Sequence, residues 1–366
     1  MLSTSLSVTV SATLVVSCLI AQALVMSAQK HGQFTMDLPG AVQKFHSKPT
    51  PRVGGVAIYL ALAMAWGMVT HSAERKLLGT VLLAGIPALF IGLLEDVTKR
   101  VSVSRRLVVT MGSGALAMVL TGVGLTRVDI ALADQLLSWW PLALLFTAFA
   151  VGGIANAINI IDGFHGLASG TLVISLLALA SVAMSVGDLP LASIAVLLAA
   201  AVGGFWLVNF PWGKLFLGDG GAYFSGFALA WLTVELLARN DDVSPWASVL
   251  ICAYPTIEVM YSIVRRRRHH RSPGEADRNH LHSLVATQWV YPRLAQHRPY
   301  LRNAAVSVLM WICAIVPVVP AMLFYDRPAV LLAALGGCVL GYHLLYRWVA
   351  PAATPQPLAD PADART

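Results

Sequence analysis

Three aspartates interrupt an otherwise apolar chain. Asp96 stands in Glu95-Asp96-Val97-Thr98-Lys99-Arg100, Asp162 closes Asn156-Ala157-Ile158-Asn159-Ile160-Ile161-Asp162-Gly163, and Asp219 stands in Leu217-Gly218-Asp219-Gly220-Gly221. Each lies at the edge of an apolar run, where an ionised carboxylate is costly unless it is paired or bound to metal. Hard oxygen ligands suit Mg2+, with Mn2+ as an alternative, because such ions take one or two carboxylates and complete their shell with phosphate and water. Lys99, Arg105, Arg106 and the run Arg265 to Arg268 supply positive charge of the kind that holds phosphates. Glycines at 54, 55, 163, 166, 218, 220 and 221 allow backbone to approach a ligand closely. Carboxylates, a metal, cations and glycine turns together describe phosphoryl transfer, in which positioning and charge stabilisation do most of the work.

Taken singly, each feature has an ordinary explanation. Asp before Gly is a common turn, and a run of four arginines orients a membrane helix. Asn156 and Asn159, one helical turn apart, can bond neighbouring helices. His280 and His282 are spaced i,i+2, which does not place them on one helix face, although in a loop both can reach a phosphate.

The elements that must position these residues are membrane helices. Of 366 residues, 57% are hydrophobic and only 12% charged, against roughly 25% charged in a soluble domain. This excludes a soluble two-domain enzyme and a disordered chain alike. Runs long enough to cross the hydrocarbon lie near 7–27, 53–71, 77–94, 107–125, 139–161, 168–187, 190–210, 220–238, 245–264, 303–325 and 328–349. The expected fold is all-α, a polytopic bundle of about eleven transmembrane helices. Residues 1–350 form one domain and 351–366 a disordered tail rich in Pro, Ala and Asp. No Lys or Arg precedes the first run, so it reads as a span and not as a secretory signal. Cys18, Cys252, Cys313 and Cys338 all lie in apolar runs and read as small hydrophobes, with no disulfide framework and no zinc site.

With eleven spans, twenty of the 25 Lys and Arg fall on one side. The positive-inside rule then puts the N-terminus outside and the C-terminus in the cytoplasm. The net charge of +7 thus concerns orientation, and no nucleic acid partner is expected. Every polar motif falls on the same cytoplasmic side, including Lys48-Pro49-Thr50-Pro51-Arg52-Val53-Gly54-Gly55 and Ser272-Pro273-Gly274-Glu275-Ala276-Asp277-Arg278-Asn279-His280-Leu281-His282, whereas the outward loops carry nothing comparable. One composite site at the inner membrane surface is implied. Its cytoplasmic face calls for a soluble, nucleotide-activated donor and its position in the membrane for a lipid acceptor.

At these residues the sequence resembles the polyprenyl-phosphate N-acetylhexosamine-1-phosphate transferases, relatives of phospho-N-acetylmuramoyl-pentapeptide transferase. The resemblance runs in order over about residues 45–285. PTPRVGG at 49–55 looks like the family's opening motif, and Glu95-Asp96 stands where an Asp-Asp pair is usual. NAINIIDGFHGLASG at 156–170, LGDGGAYFSG at 217–226 and SPGEADRNHLH at 272–282 are similar to three further motifs. The single HxH favours the N-acetylhexosamine branch.

The resemblance implies transfer of N-acetylhexosamine-1-phosphate from a UDP-N-acetylhexosamine to undecaprenyl phosphate, with release of UMP. The setting it implies is the cytoplasmic face of a bacterial inner membrane, in a chain that could form a homodimer. It makes Asp219 the main magnesium ligand, with Asp96 and the adjacent Glu95 binding metal or deprotonating the lipid phosphate. Asp162 and Asn159 would engage the nucleotide–sugar end. Arg52, Lys99 and Arg105 or Arg106 would meet phosphates, and His280 and His282 would hold the diphosphate or sugar.

Four positions depart from the pattern: Glu95 for Asp, His165 for the second Asp of the DGxDG segment, Gly221 for Ser, and Ser283 where another histidine is frequent. His165 could contact sugar or phosphate instead. An active enzyme with altered sugar preference is expected, and a catalytically weakened relative is the alternative. A secondary transporter is the other rival. Such proteins bind substrate near the midplane, whereas these spans are poor in charge, Glu235 and Glu258 excepted, both toward span ends.

Overall fold

The computed structural model describes residues 4–37, 49–270, 277, 279–294 and 301–350. Lys48, residues 272–276 and Arg278 of the histidine segment, and the tail expected over 351–366 lie outside the described residues. The chain opens with α1 (Thr4–Met26) and α2 (Ala28–Thr35), then a two-residue antiparallel pairing of β1 (Met36–Asp37) with β2 (Thr50–Pro51). There follow α3 (Gly54–Met68), α4 (Ser72–Thr98), α5 (Val103–Thr121), the short α6 (Ala131–Leu137), α7 (Trp140–Ile161), α8 (Leu167–Ser185), α9 (Leu189–Asn209) and α10 (Gly218–Arg239). The last part holds α11 (Pro245–Ile251), α12 (Ala253–Arg268), the single turns α13 (Leu281–Leu284) and α14 (Tyr291–Leu294), then α15 (Arg302–Leu323) and α16 (Pro328–Val349).

All eleven apolar runs are helical, but they are not eleven equal spans. Among the described residues, nine helices are long and apolar enough to cross a membrane. The run expected over 245–264 is broken: α11 and α12 meet at an angle of 79°. The run over 53–71 yields only the 15 residues of α3, because Val53 and Val69 flank it with non-helical backbone. At 1.5 Å per residue a helix of that length falls short of a ~30 Å hydrocarbon core.

α10 is the centre of the bundle, with 94% of its most apolar stretch buried, whereas only 17% of α16 is. The outer helices instead expose large apolar side chains, such as Phe90, Val108, Phe149 and Leu323, which is the arrangement hydrocarbon solvent permits. Glycines on α10 let its neighbours come backbone to backbone. A Cβ at Gly55 would lie 2.4 Å from the Gly221 Cα, and one at Gly92 2.3 Å from the Gly220 nitrogen. Gly54, Gly55, Gly220 and Gly221, expected to admit a ligand, therefore admit neighbouring protein atoms instead: Gly55 and Gly221 face each other's backbone, Gly54 the Phe205 ring and Gly220 the Leu93 side chain.

The far ends of the helices are closed by polar contacts. Arg239 donates to Asp188 through Nε (2.7 Å) and Nη2 (2.8 Å), and Ser244 donates to Asp129 (2.8 Å). A cavity of about 550 Å³ opens at that end beside Arg127, Asp129, Asp241 and Asp242. None of the motif residues lines it.

Candidate functional site

The first turn of α10 organises the motif residues. A helix start leaves amide N–H groups without intrahelical partners and carries partial positive charge. Here the capping carboxylate comes from another helix. Asp96, fully buried near the end of α4, accepts from the amides of Asp219 (3.0 Å) and Gly220 (2.9 Å). Gly218 makes the preceding bend at φ +73°, where a Cβ would meet the Arg52 carbonyl at 2.3 Å and the Asp96 carboxylate at 2.6 Å. Asp219 thereby enters the site on a helix start fixed by α4.

Arg52 is held by backbone pairing on both sides. Its amide donates to the Thr35 carbonyl (3.0 Å), and the stretch around it pairs with 216–217 through Phe216 N to Pro51 O (2.9 Å) and Gly54 N to Phe216 O (3.0 Å). Its guanidinium then bridges two acids, with Nη2 2.9 Å from Asp219 Oδ1 and Nε 3.3 Å from Asp96 Oδ1. From α5, Arg106 Nη1 donates to Asp219 Oδ2 (2.5 Å). From α7, Asn159 Nδ2 donates to Asp219 Oδ1 (3.1 Å) while its own Oδ1 accepts from the Tyr223 hydroxyl (3.3 Å).

Asp162 follows the last turn of α7 and faces the same charges. The residue keeps some exposed surface, yet burial of its carboxyl pushes the pKa up to about 7. Arg52 and the Gly218 amide oppose that rise, and Asp219 and Asp96 add to it. Arg52, Asp96, Arg106, Asn159, Asp162 and Asp219 therefore form one cluster, drawn from five separate stretches of chain. Tyr223 joins it without having been singled out in the sequence, where a tyrosine in an apolar run carries no signal.

Other motif residues make different contacts. Arg105 is exposed, so of the adjacent pair only Arg106 turns inward. Lys99 ends α4 in left-handed backbone (φ 55°) and is exposed. Glu95 accepts from the Val101 amide (2.8 Å), holding the turn after α4. Asn156 ties α7 to α5 through Thr110 (2.8 Å), its ordinary reading. His165 donates from Nδ1 to the Pro211 carbonyl (3.0 Å), which leaves Nε2 to accept from the Asn303 amide (3.3 Å) on α15. A doubly protonated ring would lose the second bond. The glycine turn is also tied by Asn209, whose Oδ1 accepts from Gly166 N (2.6 Å) and whose Nδ2 donates to Leu215 O (2.7 Å).

The family model for glycosyl transferase family 4 matches residues 78–237, which hold Asp96, Asp162 and Asp219. A decaprenyl-phosphate N-acetylglucosaminephosphotransferase of Mycolicibacterium smegmatis is 30% identical over 317 residues, covering 77% of this chain and 74% of its own. The chain belongs to glycosyl transferase family 4. It is also 28% identical over 270 residues to a probable undecaprenyl-phosphate N-acetylglucosaminyl 1-phosphate transferase of Bacillus subtilis, covering 73% and 74% of the two chains. An undecaprenyl-phosphate alpha-N-acetylglucosaminyl 1-phosphate transferase of Escherichia coli K12 is 28% identical over 248 residues, 66% and 67% of the two.

In this glycosyl transferase family 4 protein the histidine segment docks against the Asp162 turn. His280 and His282 are buried and stack in parallel, with ring centroids 5.3 Å apart and planes at 5°. The His282 ring meets Phe164 edge-on at 5.6 Å, and a Cβ at Gly163 would lie 3.4 Å from His282 Nε2. Burial pushes the His282 imidazole down to about 4. The segment is clamped by the arginine run: Arg265 and Arg266 both bind Asp277, and Arg265 also donates to Asn279 O (2.5 Å) and to the Tyr346 hydroxyl (2.7 Å). Burial alone would raise the Asp277 carboxyl, but the Asn279 amide and both arginines pull it below the usual range. Two of the four arginines thus hold the histidine segment besides any part in orientation.

Proposed function

We propose that this family 4 protein transfers N-acetylhexosamine-1-phosphate from a UDP-N-acetylhexosamine to undecaprenyl phosphate, giving undecaprenyl-diphospho-N-acetylhexosamine and UMP. The observation that carries the reading is Asp219, set on the first turn of the most buried helix between two guanidinium groups and an amide. The names of the relatives supply the polyprenyl phosphate and make UDP-N-acetylglucosamine the first donor to try. The strong bias of Lys and Arg supports an N-terminus outside, a C-terminus in the cytoplasm and a site on the cytoplasmic face of a bacterial inner membrane.

Among the described residues no three His, Cys, Asp or Glu side chains gather closely enough to hold a metal by themselves. Mg2+ does not require that, since it takes one or two carboxylates with substrate phosphates and water. The donor set fits: Asp219 offers hard oxygens beside phosphate-binding arginines and would hold the ion together with the substrate phosphates. Asp96, expected from the motif to share that role, already commits both oxygens to the amides of α10. When bound, the ion neutralises diphosphate charge.

The protein's own groups would then act as follows. Arg52 and Arg106 move from Asp219 to the donor diphosphate, so that its charges replace the carboxylate as their partner. Asn159 and Tyr223 keep the Asp219 carboxylate in one orientation. Asp162 accepts a proton from the lipid phosphate, whose oxygen attacks the phosphorus bearing the sugar. That forms the new P–O–P bond and breaks the one to UMP. His280 and His282 border the sugar end of the site across Gly163. The test is UMP release in vesicles that contain undecaprenyl phosphate, over a panel of UDP-N-acetylhexosamines, with the lipid product weighed by mass spectrometry. A chelator should stop the release and added Mg2+ restore it. No release with any donor overturns the proposal.

A further inference from the structure

Glu258 is the one acid of α12 and is buried among apolar groups. Its Oε1 accepts from His280 Nδ1 (3.0 Å) and from the Leu281 amide (3.2 Å). Its Oε2 lies 3.9 Å from His282 Nδ1, beyond hydrogen-bond reach. Tyr254 on α12, Cys313 on α15 and Tyr342 on α16 also face the carboxylate. A buried carboxylate that merely closed a helix contact would not hold one histidine through its side chain, the next amide through its backbone, and a second histidine at the edge of contact. The 79° break between α11 and α12 sets the direction of α12, and the clamp of Arg265 and Arg266 on Asp277 feeds the histidine segment onto it.

We infer that Glu258 is the positioning residue of the histidine pair, and that it divides the pair's roles. With Nδ1–H of His280 held by the carboxylate, Nε2 on the far side of that ring becomes the nitrogen that meets an anionic group of the substrate. The carboxylate thereby fixes the tautomer and the plane of the ring, as an orienting acid does for a histidine. His282 is the neutral member, packed on Phe164 and Gly163, and keeps His280 in register beside the Asp162 turn. Two parallel rings at 5.3 Å disfavour holding a charge each. This assignment rests on the phosphosugar transfer proposed above for the identity of the anion, a substrate phosphate.

The experiment compares wild type, Glu258→Gln, His280→Ala and the double variant in vesicles. Glu258→Gln keeps the volume and an oxygen for the Leu281 amide but removes the charge. It should lower kcat by about 10–100-fold, the usual cost of an orienting partner, with KM for the lipid changed far less. The double variant should be no slower than His280→Ala, because both changes remove the same interaction. Losses that multiply, or a Glu258→Gln enzyme within about twofold of wild type, overturn the inference.

A second measurement reads the arrangement without turnover: imidazole nitrogen spectra of histidine-labelled protein in nanodiscs. Wild type should show an Nδ1-protonated ring whose signal disappears in His280→Gln and shifts in Glu258→Gln. If that signal is missing from wild type, the inference fails even where Glu258→Gln does not fold. If wild type turns over no donor, the proposed function fails while these spectra still decide the role of Glu258.

Discussion

Replacing Asp96 by alanine separates a carboxylate that builds the site from those that work in it. Asp96 is fully buried and accepts two backbone amides at 3.0 and 2.9 Å while pairing with Arg52 at 3.3 Å. Removing it leaves the Asp219 and Gly220 amides without partners in a dry environment. Hydrogen bonds to a charged group contribute about 1.5–3 kcal/mol each, and breaking a buried pair costs about 3–5 kcal/mol. Arg52 keeps its contact with Asp219, so the loss of the ion pair is largely offset and the two amides carry the destabilisation. The expected destabilisation is about 3–6 kcal/mol, or a fall of roughly 4–8 °C in thermal midpoint for a chain of this size.

Asp162→Ala makes the contrast. It deletes a carboxylate that Arg52 and a single amide, that of Gly218, hold against the rise from burial and two like charges, so its midpoint should move less, by about 1–3 kcal/mol's worth. Both variants should lose UMP release. The assay is tryptophan fluorescence of purified protein in detergent at one heating rate, because such midpoints are rate-dependent, alongside turnover in vesicles. An Asp96→Ala protein that melts with wild type would refute the capping argument, as would equal destabilisation by Asp162→Ala.

Four further outcomes follow from the geometry. Arg106→Ala should cut turnover by about 100–1,000-fold, as loss of a preorganised charge donor does, while the exposed Arg105 changed to Ala stays within about twofold; equal losses in rate assays would contradict the assignment. Gly92→Ala should cost about 1–3 kcal/mol or more by overpacking, since its Cβ would lie 2.3 Å from the Gly220 nitrogen. Gly112→Ala in the same melting assay should be neutral or up to about 1 kcal/mol stabilising, because nothing lies within 4 Å of its added Cβ. His282 is pushed down to about 4 and is already uncharged above that. The pH–rate profile of His282→Gln should therefore keep the wild-type shape between about pH 5 and about pH 8, and a vanished limb there would show that this ring titrates in turnover.

The motif residues were visible because charge is scarce in this chain. Asp96, Asp162, Asp219, Asn159 and the pair Arg105-Arg106 stand out by type, and the structure joins five stretches at the start of α10. What spacing could not resolve was direction. Adjacent residues on a helix point about 100° apart, so Arg105 and Arg106 are equivalent on paper, yet only Arg106 reaches Asp219. Glu258 was noticed only as an acid near a span end, because its meaning comes from a histidine segment 22 residues later. His165 looked like a substituted site acid, but its ring nitrogens are taken by Pro211 and Asn303.

Composition and hydropathy by themselves determined an all-α membrane chain with its polar motifs gathered toward one side, because hydrocarbon admits few charges and demands internally bonded backbone. Tertiary structure alone decided which glycines serve packing, which of three aspartates caps a helix and which faces the arginines, and how the buried Glu258 meets His280. Those are matters of helix rotation and close approach between segments far apart in sequence. Residue types name the groups available for chemistry, and only packing orients them.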